Sequence, residues 1–392
     1  MGMKLISQSI NKRWFISTLA IAIAYGVVVY LIEHFNWNQG RARAIILVLV
    51  LIATAILLRL PPRRALAATP VALSRIIVAA CAIALGLHLI HFIEFFHKPH
   101  LFDIATTTIS AGEAIRSGQN PYQLPINPEP DLPQGSLNYN GYKYLPMMAV
   151  IYLPLSAVLG ERGVLMTNLL LDLAVTVLVF QLSRRAGTQT SGLFAALLYL
   201  MPLLVPRQLF HKGVTDLAAV FPLLVALLYL ERKPGLAGLW VGLSISTKLL
   251  PGILFLPCCL PQKSPPKLRW WYATGVVLGL VPTLVFLVWS PSELFSNAVL
   301  FNAQRPIDST SWLFELPSFI SWFVRFGFAA VVLGVAAYVW CNNPTVIVRC
   351  GLGAICILAT ILSGPIVHSN YQLWWLPMLA ILLGGVAFGK QL

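Results

Sequence analysis

Apolar runs of about 20 residues recur from one end of this chain to the other, and a run of that length is what an α-helix needs to cross the hydrocarbon of a bilayer. They fall at 14–32, 43–60, 75–96, 144–160, 162–183, 190–207, 214–230, 235–261, 270–290, 317–340, 345–366 and 371–389. Only 10% of the residues are charged, whereas a soluble domain carries about 25%. The pattern therefore excludes a soluble globular domain, a disordered chain and a disulfide scaffold. A transmembrane barrel would alternate apolar and polar residues over stretches of about 10, and no such alternation occurs. The expected fold class is an all-α polytopic integral membrane protein with about 12 membrane helices, partial ones included.

The net charge of +14 comes from 27 Lys and Arg against 13 Asp and Glu. In a soluble chain that excess would suggest nucleic acid as a partner. Here the bases sit in short loops between apolar runs, without a basic stripe interleaved with aromatics, so nucleic acid is not expected. They serve instead to orient the chain, since loops rich in Lys and Arg stay cytoplasmic. Treating every run as one full crossing puts Arg184-Arg185 on the wrong side. The conflict vanishes if two runs do not cross. Segment 144–160 is short and carries Pro146 and Pro154, so it can dip in and return. Segment 235–261 carries Lys248 and Pro251 at its centre, which breaks it into two half-helices too short to cross separately. Irregular backbone of that kind is tolerated only where it is buried in protein or lines a polar cavity.

With ten full crossings, both termini, Arg63-Arg64, Arg184-Arg185, Arg232-Lys233, Lys263, Lys267, Arg269, Arg349 and Lys390 all fall on the cytoplasmic side of a cell membrane, and a bacterial plasma membrane is expected. The first run follows Lys4, Lys12 and Arg13 but lacks a small-residue cleavage site, and is read as a membrane helix. Cys81, Cys258, Cys259, Cys341, Cys350 and Cys356 show no zinc spacing and read as small buried hydrophobes. No internal repeat or second domain is visible. The chain is one membrane domain, 1–392, divisible into an N-terminal helix pair, 1–74, and a core, 75–392, with long external loops at 97–143 and 291–316. Long loops on a helical scaffold tend to carry function.

Ionisable groups at membrane depth usually face a cavity or a partner. Asp172, in the middle of its run, reads as a structural hydrogen-bonding residue. His88, His91 and Glu94 recur on one helical face, with His97 and His100 beyond, and read as a polar face rather than a metal site. The first long loop opens at Leu101-Phe102-Asp103, continues as a predicted helix over 107–116, turns at Gly118-Gln119-Asn120-Pro121-Tyr122 and closes at Tyr142-Lys143-Tyr144-Leu145-Pro146. Each signal has an ordinary explanation. Asp103 can be a solvated loop residue or a helix cap, Gly-x-Asn-Pro-Tyr a helix stop, and the tyrosines an interfacial belt.

Taken in order, an aromatic-Asp after an early membrane helix, then Gly-x-Asn-Pro-Tyr, Tyr-x-Pro entering the next run, and Lys-x-x-Pro in a broken helix, this chain resembles the polytopic GT-C type glycosyltransferases. It is most similar to glycosyltransferase family 87, the polyprenol-phosphate-mannose-dependent α-mannosyltransferases. The matching positions are Asp103, Gly118, Asn120, Pro121, Tyr122, Tyr144, Pro146, Lys248, Pro251 and His368, over roughly 85–390. The chain departs from the family in having two helices, not one, before the helix that leads into the Asp loop, and in lacking a Trp and second His near His368.

The resemblance implies a membrane hexosyltransferase of envelope glycolipid biosynthesis. A sugar, expected to be mannose, would move from a polyprenyl phosphate to a hydroxyl of a lipid or glycan acceptor in an external cavity. Inverting transfer needs one carboxylate base, and Asp103 is the leading residue, ahead of Glu94, Asp216, Asp308 and Glu113. A lipid phosphate is stable as an anion, so no acid partner is needed. Lys248, Arg305, Lys212 and His368 are the candidate cations for that phosphate, and Tyr122, Tyr144 and Asn120 candidate contacts to the donor. No nucleotide fingerprint or clustered acidic pair occurs, so neither a metal nor another cofactor is expected. The rival readings are a secondary transporter or flippase, whose marks include broken helices and intramembrane charge, and a non-catalytic scaffold.

Overall fold

The computed structural model describes residues 48–50, 52, 71–126, 141–261, 265–309 and 311–388, whose regular structure is helical, without a strand. The N-terminal runs 14–32 and 43–60, apart from residues 48–50 and 52, and both termini lie outside the described residues. The helices are α1 (Val71–His97), α2 (Asp103–Arg116), α3 (Pro146–Leu159), α4 (Glu161–Ala186), α5 (Gln189–Leu200), α6 (Leu217–Tyr229), α7 (Pro234–Thr247), α8 (Leu249–Phe255), α9 (Pro266–Trp289), α10 (Ser318–Asn342), α11 (Val346–Leu362) and α12 (Gln372–Phe388). Five spans among the described residues are long and apolar enough to cross a membrane, or six with one bent pair. The protein is a multi-pass membrane protein.

Burial sorts these helices into layers. α12 is the axis: 89% of its apolar window is buried, and it packs on α4, α5, α6 and α11. α10 is the periphery, with 11% buried, and carries exposed Phe319, Trp322 and Phe323. Large rings left bare in this way suit contact with lipid tails, where they are not penalised as they would be by water.

The segment containing Lys248 is broken as its composition predicts. α7 ends at Thr247, Lys248 is extended (φ −149°, ψ 120°), and α8 starts at Leu249. The chain doubles back so tightly that a Cβ on Gly252 would sit 2.7 Å from the Ile245 backbone. A 3-10 turn, Leu256–Cys259, then returns it to the end from which α7 and α9 begin. α7 lies along α9 on glycines: Gly235, Gly238 and Gly242 face Gly275 and Gly279, and a Cβ on any of these but Gly235 would strike the opposite backbone. Small residues of this spacing let membrane helices approach closely. The half-helix hairpin is locked at its base by Arg349, which donates to the carbonyls of Pro344, Cys258 and Leu260 and to Asn343 Oδ1.

Segment 144–160 is also partial: α3 reverses at Gly160 (φ +57°) straight into α4. Three differences from the sequence reading stand out. Run 190–207 is not one straight helix: α5 stops at Leu200, before Pro202, and the chain bends 54° into a π-helical turn, Arg207–His211. The loop over 291–316 is largely helical, because Leu294, Ala298 and Phe301 pack at helical spacing. The loop helix starts at Asp103 rather than 107. Four of the six cysteines are fully buried and Cys81 is half-buried, whereas Cys341 is exposed on α10.

Asp172 is a core residue. His88 of α1 donates through Nδ1 to Asp172 Oδ2 (2.7 Å), and Tyr199 of α5 donates to Oδ1 (2.7 Å). His88 is thereby turned inward, away from the exposed Glu94.

Candidate active site

Two cavities meet between α2, the 301–305 segment, the α7–α8 break and the start of α12. The first, about 290 Å³, is polar and is lined by Asp103, Gln208, Lys212, Asn302, His368 and Ser369 among others. The second, about 300 Å³, is apolar and runs past Leu249, Leu250, Phe326, Phe328 and Ile361 toward α10. Lys143, Tyr144, Lys248, Asn302, Arg305 and Tyr371 belong to both walls. A polar chamber and an apolar one thus share a cationic threshold. The arrangement suits an anion that carries a long apolar tail.

Asp103 is the first residue of α2, and its position is fixed from both sides. Phe102 N donates to Lys212 O (3.0 Å), and Thr106 and Thr107 hydroxyls donate to Asp103 O (3.0 and 2.7 Å). The segment that carries the Lys212 carbonyl needs Gly213, which has φ +66° and no room for a Cβ beside Leu101. The Asp103 carboxylate is exposed to the cavity, and among the described residues no donor is bonded to it. A carboxylate with open lone pairs can take a proton from a bound hydroxyl.

Asp216 contrasts with it. Its side chain is fully buried, and Lys248 Nζ (2.6 Å), Trp374 Nε1 (2.5 Å) and Asn370 Nδ2 (2.8 Å) all donate to it. Lys248 therefore reaches the cavity as half of an ion pair, with the rings of Trp374, Tyr144 and Tyr371 at 5.0–5.8 Å. Arg305 stands on the threshold over the Phe301 ring (5.5 Å), with no hydrogen-bond partner among the described residues. The turn that carries it is pinned beside His368: Asp308 N donates to Pro365 O, Ser311 Oγ to Gly364 O and Trp312 Nε1 to Leu362 O.

Burial and the neighbouring Arg305 cation push the His368 pKa down to about 4. His368 is therefore neutral at pH 7, a hydrogen-bonding group rather than the fixed cation its sequence position suggests. Burial, with Arg207 nearby, also lowers Lys212.

Of the eight positions proposed from sequence, the structure gathers Asp103, Tyr144, Lys212, Lys248, Arg305 and His368 in one cavity. Asn120 and Tyr122 sit behind its wall. Gly118 (φ +70°) ends α2, Asn120 Nδ2 donates to Ser290 Oγ (2.7 Å), and Tyr122 donates to Tyr144 O (2.7 Å). They clasp the loop to the end of α9 and aim Tyr144. The rival carboxylates Glu94 and Glu113 do not line either cavity. Sequence reasoning missed Gln208, Asn302, Ser369, Tyr371 and Arg325. Arg325 could have been found, as the sole charged residue of α10; it lines the apolar cavity and donates to Ala303 O (2.5 Å).

A profile described as glycosyltransferase family 87 matches residues 142–387. No curated protein shows significant similarity. Among solved structures, the crystal structure of ArnT from Cupriavidus metallidurans bound to undecaprenyl phosphate aligns with a TM-score of 0.52 at 17% identity, covering 78% of this chain and 59% of that one. The apo form of the same protein aligns with a TM-score of 0.52 at 16% identity and the same coverage. The likeness is one of fold, the GT-C fold.

Proposed function

The chain belongs to glycosyltransferase family 87, and on that premise we propose that it transfers a sugar, expected to be mannose, from a polyprenyl phosphate to a hydroxyl of a lipid or glycan acceptor. The observation that carries this reading is the free Asp103 carboxylate in a polar chamber whose cationic threshold opens into an apolar one. The isoprenoid tail would lie in the apolar cavity and the phosphate on the threshold. ArnT, the fold neighbour, holds undecaprenyl phosphate, and this supports a lipid-linked donor.

In the proposed reaction the acceptor hydroxyl attacks the anomeric carbon as Asp103 takes its proton, and the anomeric C–O bond to the phosphate breaks. The electron pair goes to the lipid phosphate, where Arg305 and Lys248 offset the developing charge. Inversion at the anomeric carbon follows from a single displacement. The residues named supply base and cations without a metal, and Tyr144 and Tyr371 offer ring surfaces for the sugar.

The bases at the α7–α9 end would face the cytoplasm and the polar chamber the outside, with the protein in a bacterial plasma membrane. Purified protein incubated with radiolabelled polyprenyl-phosphate mannose and octyl α-mannoside should release polyprenyl phosphate and form a labelled disaccharide. Transfer from a nucleotide sugar but not from the lipid donor would overturn the reading.

A further inference from the structure

One wall of the polar cavity carries hydrogen-bonding capacity that the transfer step leaves unused. Gln208 is 2% exposed; its Nε2 donates to Ser369 Oγ (2.9 Å), and its Oε1 has no partner among the described residues. Lys212 Nζ donates to the same Ser369 oxygen (3.2 Å). With two donors already on that oxygen, the Ser369 proton is left for another group, and no acceptor holds it among the described residues. Both residues line the chamber that contains Asp103.

Gln208 also lies in the π-helical turn Arg207–His211, a rare geometry that occurs most often at functional sites. The same turn ends at Lys212, whose carbonyl anchors Phe102, so the amide and the candidate base are held by one piece of backbone. A buried amide oxygen without a partner is costly, and a site built this way discriminates against ligands that cannot pair it.

We propose that Gln208 and Ser369 form a subsite for one hydroxyl of an uncharged sugar. Gln208 Oε1 accepts the hydroxyl hydrogen, and the Ser369 hydroxyl donates to its oxygen. A sugar hydroxyl offers both a donor and acceptor positions, so it pairs with the two together. An amino sugar is disfavoured, because Lys212 lies beside the subsite and Arg305 lines the same chamber. The inference rests on the reading that this chamber transfers a sugar. The hydroxyl belongs either to the donor or to the acceptor.

The test is a cycle between enzyme variants and deoxy substrates. Full-length protein in detergent is assayed with polyprenyl-phosphate mannose and its monodeoxy forms, and separately with octyl α-mannoside and its monodeoxy forms as acceptors. With the wild-type enzyme one deoxy substrate should lose about 10-fold or more in kcat/KM. In Gln208→Leu, and also in Ser369→Ala, the parent substrate should fall by a similar factor and that deoxy form should fall no further. Gln208→Glu, which keeps shape and acceptor, should restore most of the discrimination and excludes misfolding as the cause. The series in which the penalty disappears identifies donor or acceptor as the source.

If every deoxy form is penalised equally in wild type and Gln208→Leu while transfer proceeds, the subsite is wrong and the transferase reading stands. If no transfer occurs, tryptophan fluorescence gives the affinities for polyprenyl-phosphate mannose and bare polyprenyl phosphate. A preference for the sugar-bearing lipid that disappears in Gln208→Leu keeps the subsite and overturns the transfer. Absence of transfer, of that preference and of any Gln208-dependent affinity for octyl α-mannoside overturns both.

Discussion

At the scale of single residues, two carboxylates beside one cavity differ in what they can do. Asp103 has open lone pairs, so Asp103→Asn should keep the fold and lower kcat by about 10²–10⁴-fold, the usual worth of a general base. Asp103→Glu should rescue poorly, since an added methylene displaces the oxygen by more than an ångström. Asp216 already accepts from three donors, and Asp216→Asn leaves the half-buried Lys248 ammonium without its counter-ion. That loss should cost about 3–5 kcal/mol of stability, visible in thermal unfolding, and much of it should return in Asp216→Asn/Lys248→Met, where neither charge remains. A near-normal turnover in Asp103→Asn would move the base elsewhere.

His368 gives a separate outcome in pH. Its folded pKa of about 4 lies below the unfolded value of about 6.5, so the unfolded chain takes up the proton first. The residue should therefore subtract stability progressively as pH falls from about 6.5 to 4, and nothing above that window. Activity should show no inflection near pH 6.5 that disappears in His368→Gln; such an inflection would mean that His368 works as a cation.

At the scale of elements, the α7–α9 contact fixes the height of Lys248. The 14 residues of α7 lift the break by about 20 Å from the basic end, and the glycine faces hold that rod at a set distance from α9. Gly238→Leu drives a side chain into the Tyr272 carbonyl and should destabilise by about 1–3 kcal/mol, with lowered turnover because Lys248 and Asp216 shift. Gly334→Leu on α10, where no atom lies within 4 Å of a new Cβ, is the matched control and should leave the melting temperature almost unchanged. Equal effects at both positions would show that the α7–α9 spacing is not what positions the site.

At the scale of the whole molecule, the proposed orientation puts the two ends of the bundle in different compartments. With exposed Cys341 replaced by Ser, single cysteines at exposed Gln119 and Lys267 should react differently with an impermeant thiol reagent in intact cells. Labelling at 119 alone is expected. Labelling at 267 alone would invert the orientation and with it the compartment of the acceptor.

The class of the protein and the location of its break were legible in the sequence, because both are local properties. Hydrocarbon thickness sets the length of an apolar run, and Lys248 and Pro251 inside one cannot continue a lipid-facing helix. Asp103 and the Gly118–Tyr122 turn were legible from order along the chain. What sequence could not separate was which polar groups are spent and which are open. Lys248 reads as a lone cation until Asp216, from another helix, is found 2.6 Å away, and His368 reads as a cation until burial and Arg305 are seen to hold it neutral. Gln208 and Ser369 carry no signal at all in a one-dimensional reading, since their meaning is an unpaired oxygen and a shared hydroxyl across residues far apart in the chain. Charge, burial and hydrogen-bond satisfaction are properties of neighbours, and tertiary packing alone decides who the neighbours are.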